Sequence, residues 1–375
     1  MKKICFVVAD PRTAGFLVDH MHALSPFYDI TLVANFGDGP PDFPFPSGLQ
    51  TRKVRIERNI SLVADLRALV ALISFFRRQR FDAVHSVTPK AGLLTMLAGR
   101  LAGVRHRFHT FTGQVWVTRE GLFRVFLQQL DRILFACSSR VLVDSQSQRR
   151  FLVDEGIITG AKSEVLGEGS ICGVDTRRFQ PDPAARSSLR EEWGVPDSGF
   201  IFLFAGRINR DKGVVELVQA FAGLDYRRHQ AYLLLLGSPE DDTLASLGPA
   251  LENLNQHVIR RDWTDRPEAF MAASDVFCLP SHREGFGSVI IEAAACGVPA
   301  VGSRIYGIID AIEDGVTGLL HRPRDVADLR AKMTVFLDNR AQVDTFAEQA
   351  RARAIQRFSA EQLAGEMLSF YQSRV

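Results

Sequence analysis

Two charged constellations in the second half of this 375-residue chain have the residue types that nucleotide chemistry uses. The first is Gly206-Arg207-Ile208-Asn209-Arg210-Asp211-Lys212-Gly213, set between an apolar run at 200–204 and a helix-like segment at 214–221. Arg207 and Lys212 therefore leave one strand-to-helix loop. A guanidinium fork grips two oxygens, an ammonium supplies a point charge and a helix N-terminus adds backbone donors, so the loop suits a diphosphate. An exposed basic loop with surface ion pairs is the plainer account. The second constellation runs from Ser281 to Pro299, after an apolar run at 276–280. Glu284 lies in its loop and Glu292 near the start of the following helix, so both can face one molecule about a nucleotide long. Gly285 and Gly287 permit close backbone approach, Ser288 is placed to cap the helix, and Gly297 with Pro299 to end it. A carboxylate at Glu292 would accept hydrogen bonds from a ribose diol. Two solvated glutamates at a helix start account for the charges but leave the paired glycines without a reason.

The elements that must position these residues are short β-rich runs separated by helix-like segments. The runs fall at 4–9, 30–34, 51–56, 83–87, 108–112 and 141–145, then at 200–206, 232–237, 258–263, 276–280 and 299–303. Several are apolar almost throughout, as parallel strands covered on both faces are. The alternation predicts an α/β fold with two Rossmann-like doubly wound domains facing across a cleft, 1–180 and 181–357, divided at the polar, proline-containing Gln180-Pro181-Asp182-Pro183-Ala184. The stretch 358–375 reads as a C-terminal helix, with Phe358, Leu363, Met367 and Phe370 as its apolar positions. Ligands of such sheets bind at the carboxyl ends of the strands.

Composition agrees: 46% hydrophobic and 23% charged residues in 375 suffice for two cores. The net charge of +2 is too small for a dedicated nucleic-acid binder. Its distribution is uneven, with 24 basic and 16 acidic side chains in residues 1–180 against 21 and 27 in 181–375. Five scattered cysteines without a C-x-x-C pair point to a reducing, cytoplasmic setting rather than a disulfide framework or a zinc site. The first apolar run ends at Asp10-Pro11-Arg12, too soon for a signal peptide, and no apolar stretch reaches membrane-spanning length.

At this point the second half resembles glycosyltransferase family 4, retaining enzymes of the two-domain GT-B fold. The residues that carry the resemblance are Gly206-Arg207 with Lys212-Gly213, Glu284-Gly285-Phe286-Gly287 with Glu292 closing a Glu-x7-Glu spacing, and Glu313-Asp314-Gly315 with Thr317-Gly318-Leu319-Leu320. More loosely, Val84-His85-Ser86-Val87-Thr88-Pro89-Lys90-Ala91-Gly92 and Gly173-Val174-Asp175 with Arg178-Phe179 resemble first-domain and interdomain segments of members that build bacterial surface polysaccharides. The resemblance implies a donor domain at 181–357, an acceptor domain at 1–180 and a C-terminal helix at 358–375 that crosses back to the first domain. Arg207 and Lys212 would hold the donor diphosphate, Glu284 would meet the transferred sugar, Glu292 would grip the ribose, and the backbone of Gly206, Gly285, Phe286, Gly287 and Ser288 would complete the cradle. No metal or other cofactor is expected, since no D-x-D occurs in the chain.

Two places depart from the family pattern. Thr112 stands where many relatives have a histidine, with His109 expected to be structural and on the opposite face. The first loop has Gly15 alone instead of a doubled glycine, which would still allow close approach to the donor. Thr112 and Lys90 are the acceptor-side candidates. The expected partners are a UDP-linked sugar donor, the nucleotide following the family's usual choice, and a lipid-diphosphate-linked or oligosaccharide acceptor. Weak peripheral contact with the inner face of the cytoplasmic membrane fits the basic first half. The segment 121–135 has apolar residues at helical spacing with arginines between them, and packing on the core is the favoured reading over lying in a membrane interface. The alternatives are a UDP-sugar 2-epimerase on the same fold and a non-catalytic nucleotide-sugar binder. A dinucleotide oxidoreductase is disfavoured because no G-x-G-x-x-G follows a strand.

Overall fold

Two all-parallel sheets organise the chain in a computed structural model that describes residues 1–36, 43–57 and 60–375. Contacts divide it into two units, Met1–Gly173 with Ala360–Val375, and Val174–Ser359. In the first, β1 (Lys2–Val7), β2 (Tyr28–Ala34), β3 (Gln50–Lys53), β4 (Ala83–Val87), β5 (His106–Phe111), β6 (Arg140–Val143) and β7 (Ser163–Glu164) lie in the order 3-2-1-4-5-6-7. In the second, β8 (Phe200–Ala205), β9 (Ala231–Leu236), β10 (Val258–Arg261), β11 (Val276–Leu279), β12 (Ala300–Ser303) and β13 (Gly318–His321) lie in the order 10-9-8-11-12-13. Each of the eleven expected runs overlaps a strand. Two strands are additional: β7 is only two residues long, and β13 is a four-residue edge strand beside β12.

The central strands are buried on both sides because helices cover both faces. All six residues of β8 are buried, and so are all five of β4. In the first unit, helices Leu62–Gln79, Pro89–Ala102 and Gly121–Cys137 pack side by side. The helix Val18–Leu24 packs against Ala360–Gln372. That last helix seats Met367, Phe370 and Tyr371 in the core. Phe108 meets Phe370 edge-on at 4.8 Å, and His85 is hydrogen-bonded to the Tyr371 hydroxyl at 2.9 Å.

The boundary falls earlier than the Gln180–Ala184 stretch. The Val174 amide donates to Phe358 O at 2.8 Å and Val174 bridges Ser359, which binds residues 174–180 into the second unit. The segment 121–135 packs on the core as its spacing predicts, with Leu134 and Cys137 buried and Leu127 and Phe135 packed against the core, but it also leaves apolar side chains outside. Helix Gly121–Cys137 buries the polar Gln128 and Asp131 while Leu122, Phe123, Val125, Phe126 and Ile133 are exposed. The buried pair is satisfied locally: Trp116 Nε1 donates to Asp131 at 2.8 Å, and Gln128 Nε2 to Glu155 at 2.9 Å.

Candidate functional site

In the second sheet the strand order reverses between β8 and β11, and the loops leaving their carboxyl ends are those that carry the predicted chemistry. The β8 loop is shaped by backbone pairing to the segment after β9. The Gly206 amide donates to Leu236 O, the Ile208 amide to Ser238 O and the Glu240 amide to Ile208 O, each at 3.0 Å. This ladder sets Glu240 beside the Arg207 guanidinium, whose Nη1 donates to both carboxylate oxygens at 2.7 Å. Asn209 braces the same group, donating from Nδ2 to Glu240 at 2.6 Å while its Oδ1 accepts from the Lys212 amide at 3.1 Å.

The β8 and β11 loops meet across a backbone approach that only glycine allows. Gly213 has φ +69, and a Cβ there would lie 2.1 Å from Pro280 O. Gly307, φ +83, presses in the same way on Gly285 O, which a Cβ would approach to 2.6 Å. Two ties hold the first junction: the His282 amide donates to Asp211 O at 2.8 Å, and Arg283 pairs with Asp211 at 3.3 Å. Lys212 is thereby delivered to Glu284. Its Nζ lies 2.5 Å from Glu284 Oε1, which also accepts from Ser281 Oγ at 2.8 Å, and both partners are largely shielded from solvent. His282 Nε2 contacts Glu216 Oε1 at 3.0 Å. Burial raises the Glu216 carboxyl, but hydrogen bonds from His282 and from its own backbone amide, with the charges of His282 and Arg210, together outweigh it and hold the carboxyl below its ordinary range.

Glu292 sits in the second turn of the helix Ser288–Ala295. No described residue hydrogen-bonds its carboxyl. Burial pushes that group up to about 7, with Glu268 adding to the rise and Arg178 opposing it. The helix N-cap is Gly287, φ 87, and not Ser288, which is the first helical residue; a left-handed cap position favours glycine over serine. Gly297, φ 77, ends the helix as expected, its amide donating to Ala294 O at 2.9 Å. The Phe286 side chain is buried 5.2 Å from the Phe358 ring, which leaves only its backbone for a ligand. The structure thus brings Arg207, Lys212, Glu284, Gly285–Ser288 and Glu292 to one sheet edge. It adds Glu240 and Asn209, which sequence reasoning does not reach; the usable signal is that Ser238-Pro239-Glu240 leaves the strand next to β8.

The first-unit candidates fare differently. The Gly15 position is not open, since a Cβ there would meet the Phe43 ring at 3.0 Å. Lys90, at the start of helix Pro89–Ala102, is paired with Asp65 at 2.6 Å. The preceding Thr88 has φ 76, a strained conformation for a β-branched residue. The Thr112 carbonyl accepts from Gln114 Nε2 and Gln148 Nε2, each at 2.6 Å. His109 is buried against Gly92 and hydrogen-bonded to Ser86 at 2.9 Å, and burial takes its pKa down to about 3, a structural histidine. A residue sequence reasoning passes over is Asp144, just past β6. It is buried without a hydrogen bond to its carboxyl, which burial pushes up to about 8. Among the described residues no three His, Cys, Asp or Glu side chains gather in a way that could hold a metal ion.

Comparison with known proteins decides the family. Residues 185–353 match the family described as Glycosyl transferases group 1, and residues 14–167 match the Glycosyl transferase 4-like domain. The chain belongs to the glycosyltransferases of this two-domain family. This glycosyltransferase is 28% identical over 320 residues to the capsular polysaccharide biosynthesis glycosyltransferase CapM of Staphylococcus aureus, covering 85% of this chain and 83% of that one. It is 26% identical to the UDP-Gal:α-D-GlcNAc-diphosphoundecaprenol α-1,3-galactosyltransferase of Escherichia coli, over 72% of this chain and 70% of that one. Among solved structures, sucrose-phosphate synthase from Thermosynechococcus elongatus superposes with a TM-score of 0.86 at 21% identity, covering 100% and 99% of the two chains. Anabaena HepE in complex with UDP and glucose gives 0.83 at 20% identity, covering 100% of both. The glycosyltransferase therefore has the GT-B fold.

Proposed function

We propose that this glycosyltransferase moves a hexose, such as an N-acetylhexosamine, from a UDP-linked donor to a lipid-diphosphate-linked or oligosaccharide acceptor, with retention of configuration, in the assembly of a surface polysaccharide. The observation that carries the reading is the set of Arg207, Lys212, Glu284 and the unpaired Glu292 at the β8/β11 edge. Lys212 uses one of its N–H donors on Glu284, and Arg207 uses only Nη1 on Glu240, so both keep donors for a diphosphate. Their two fixed charges stabilise the leaving nucleotide, the part a divalent ion plays elsewhere. Glu284 contacts the transferred sugar and stabilises positive charge developing at its anomeric carbon. Glu292 lacks an internal partner and accepts the ribose diol, and the backbone from Gly285 to Ser288 lies alongside the phosphates. Attack occurs on the face the phosphate leaves, the phosphate oxygen takes the acceptor proton, and no glycosyl-enzyme forms, unlike the two-carboxylate glycosidases.

The names of relatives support the acceptor and donor classes: a capsular polysaccharide enzyme, an enzyme named for a diphosphoundecaprenol acceptor, and HepE with UDP-glucose. Thr112, Lys90 and Asp144 are the acceptor-side candidates of the first unit. No helix among the described residues is long and apolar enough to cross a membrane; a cytoplasmic protein with peripheral membrane contact suits the proposed acceptor. The test is NMR of the product made from UDP-sugars and an α-GlcNAc-diphospho-alkyl acceptor, with and without chelator. An α-configured glycoside formed at an unchanged rate in chelator is the expected result. A β-configured product, or activity abolished by the chelator, contradicts the reading.

A further inference from the structure

The polar groups around Asp144 satisfy one another and leave out its carboxyl. The residue follows β6 and is 5% exposed, with its backbone held on both sides: its amide donates to Phe111 O at 3.3 Å, and its carbonyl accepts from the Ser170 amide at 2.7 Å. Ser145 Oγ accepts from the Gln148 amide at 3.1 Å and so caps the helix Gln146–Asp154, which leaves Asp144 no part in the cap. Gln148 Nε2 donates to Thr112 O at 2.6 Å and to Gln114 Oε1 at 3.0 Å, while its Oε1 accepts from the Asp144 amide at 3.1 Å. No described residue hydrogen-bonds the Asp144 carboxyl, and its Oδ1 is sealed from solvent. A buried polar group without a partner is costly, and one kept on a rigidly held backbone calls for a function.

Strand alternation sets that carboxyl on a defined face of the first sheet. Val141 and Val143 enter the core on one face and Leu142 with Phe108 the core on the other, so Asp144 follows Leu142. Thr110 lies on the same face, since its Oγ1 meets His85, whose other ring nitrogen meets Tyr371; Thr112 follows Thr110. The register Phe111↔Val143 then makes Thr112 and Asp144 neighbours one step past the ladder, at the carboxyl edge where ligands of such sheets bind. Burial pushes the Asp144 carboxyl up to about 8, so near neutral pH it keeps its proton and offers one O–H donor beside a carbonyl acceptor. A sugar hydroxyl donates and accepts in the same way and brings no charge into the buried position.

We infer that the Asp144 carboxyl, beside Thr112 at the ends of β5 and β6, hydrogen-bonds a hydroxyl of the acceptor's sugar and so selects the acceptor. This rests on the proposed acceptor side of the first unit and names the group there that reads the sugar. The acceptor supplies the partner that the free protein withholds, and the penalty of the unpaired carboxyl is relieved only when that sugar is bound.

Calorimetric binding of an α-GlcNAc-diphospho-alkyl probe, without donor, tests the contact apart from turnover. Asp144→Leu fills the position without polar atoms and should weaken the probe about 30-fold, whereas Asp144→Asn keeps a donor and an acceptor and should weaken it only about threefold. An alkyl diphosphate that lacks the sugar should bind wild type and Asp144→Leu alike. The free Asp144→Leu protein should melt about 2–4 °C higher than wild type, because it no longer buries an unpaired carboxyl. That sign separates a ligand contact from a structural role, in which both variants would melt lower and Asp144→Asn would not rescue binding; this outcome overturns the inference. So does a wild-type protein that binds the probe no better than the alkyl diphosphate, or an Asp144→Leu variant that binds it like wild type. A UDP-sugar whose affinity falls in Asp144→Leu while the probe's does not moves the contact to the donor sugar and also overturns it. Melting with UDP reports on the donor edge by itself, so failure of the proposed transfer reaction is seen separately.

Discussion

Glu284→Gln is expected to lower the transfer rate about 10³-fold, in the range lost when one preorganised electrostatic contact is removed. The substitution keeps the shape and a hydrogen-bond acceptor but deletes the charge that opposes the developing cation at the sugar. Its effect on nucleotide binding should run the other way. In the ligand-free protein the carboxylate neutralises Lys212 at 2.5 Å in a largely shielded position. Removing it leaves the ammonium short of a counter-charge, which costs stability until a diphosphate restores one. UDP should therefore bind the variant at least as tightly as wild type and raise its melting temperature by more. Steady-state kinetics with calorimetric UDP binding measures both; a variant with intact turnover would remove Glu284 from the chemistry.

Lys212→Ala makes the complementary case. It should also lower transfer by about 10²–10³-fold, because the charge on the leaving phosphate loses its nearest cation. Here UDP affinity falls too, by about tenfold or more, since Glu284 is left as an uncompensated anion facing the diphosphate. Lys212→Arg should recover part of the affinity and less of the rate, because a planar fork does not reproduce an ammonium held between Glu284 and a phosphate. The two variants thus share a kinetic defect but differ in the sign of the binding change. Equal UDP affinities in both would contradict the pairing seen between the β8 and β11 loops.

Much of this architecture was legible in the residues because parallel strands buried on both faces read as unbroken apolar runs, as in Phe200-Ile201-Phe202-Leu203-Phe204. Loops leaving such strands announce themselves through Arg207, Lys212 and Glu284. What escaped is whatever depends on contacts distant in sequence. Glu240 reaches Arg207 only because β9 neighbours β8, and Lys90 finds Asp65 on a helix that precedes it in the chain. A lone Gly15 reads as open in the sequence, but the Phe43 ring lies against it. Helix Gly121–Cys137 packs on the core through Leu134 and Cys137 as its spacing indicates, but the burial of Gln128 and Asp131 on that face depends on Trp116 and Glu155, which give them internal partners. Serine is a good cap and so points to Ser288, yet the left-handed turn entering that helix falls one residue earlier, on Gly287.

The central claim is that the edge formed by β8 and β11 binds a nucleoside diphosphate through fixed protein charges. Thermal melting with UDP, GDP and ADP in the presence of a chelator tests it most directly, since a ligand at about 100 times its dissociation constant adds about 2.7 kcal/mol to the folded state. A rise of several degrees with UDP, retained in chelator and diminished by Lys212→Ala, is the result the structure predicts. No rise with any nucleotide, or a rise that Lys212→Ala leaves unchanged, would contradict the assignment of this edge as the donor site.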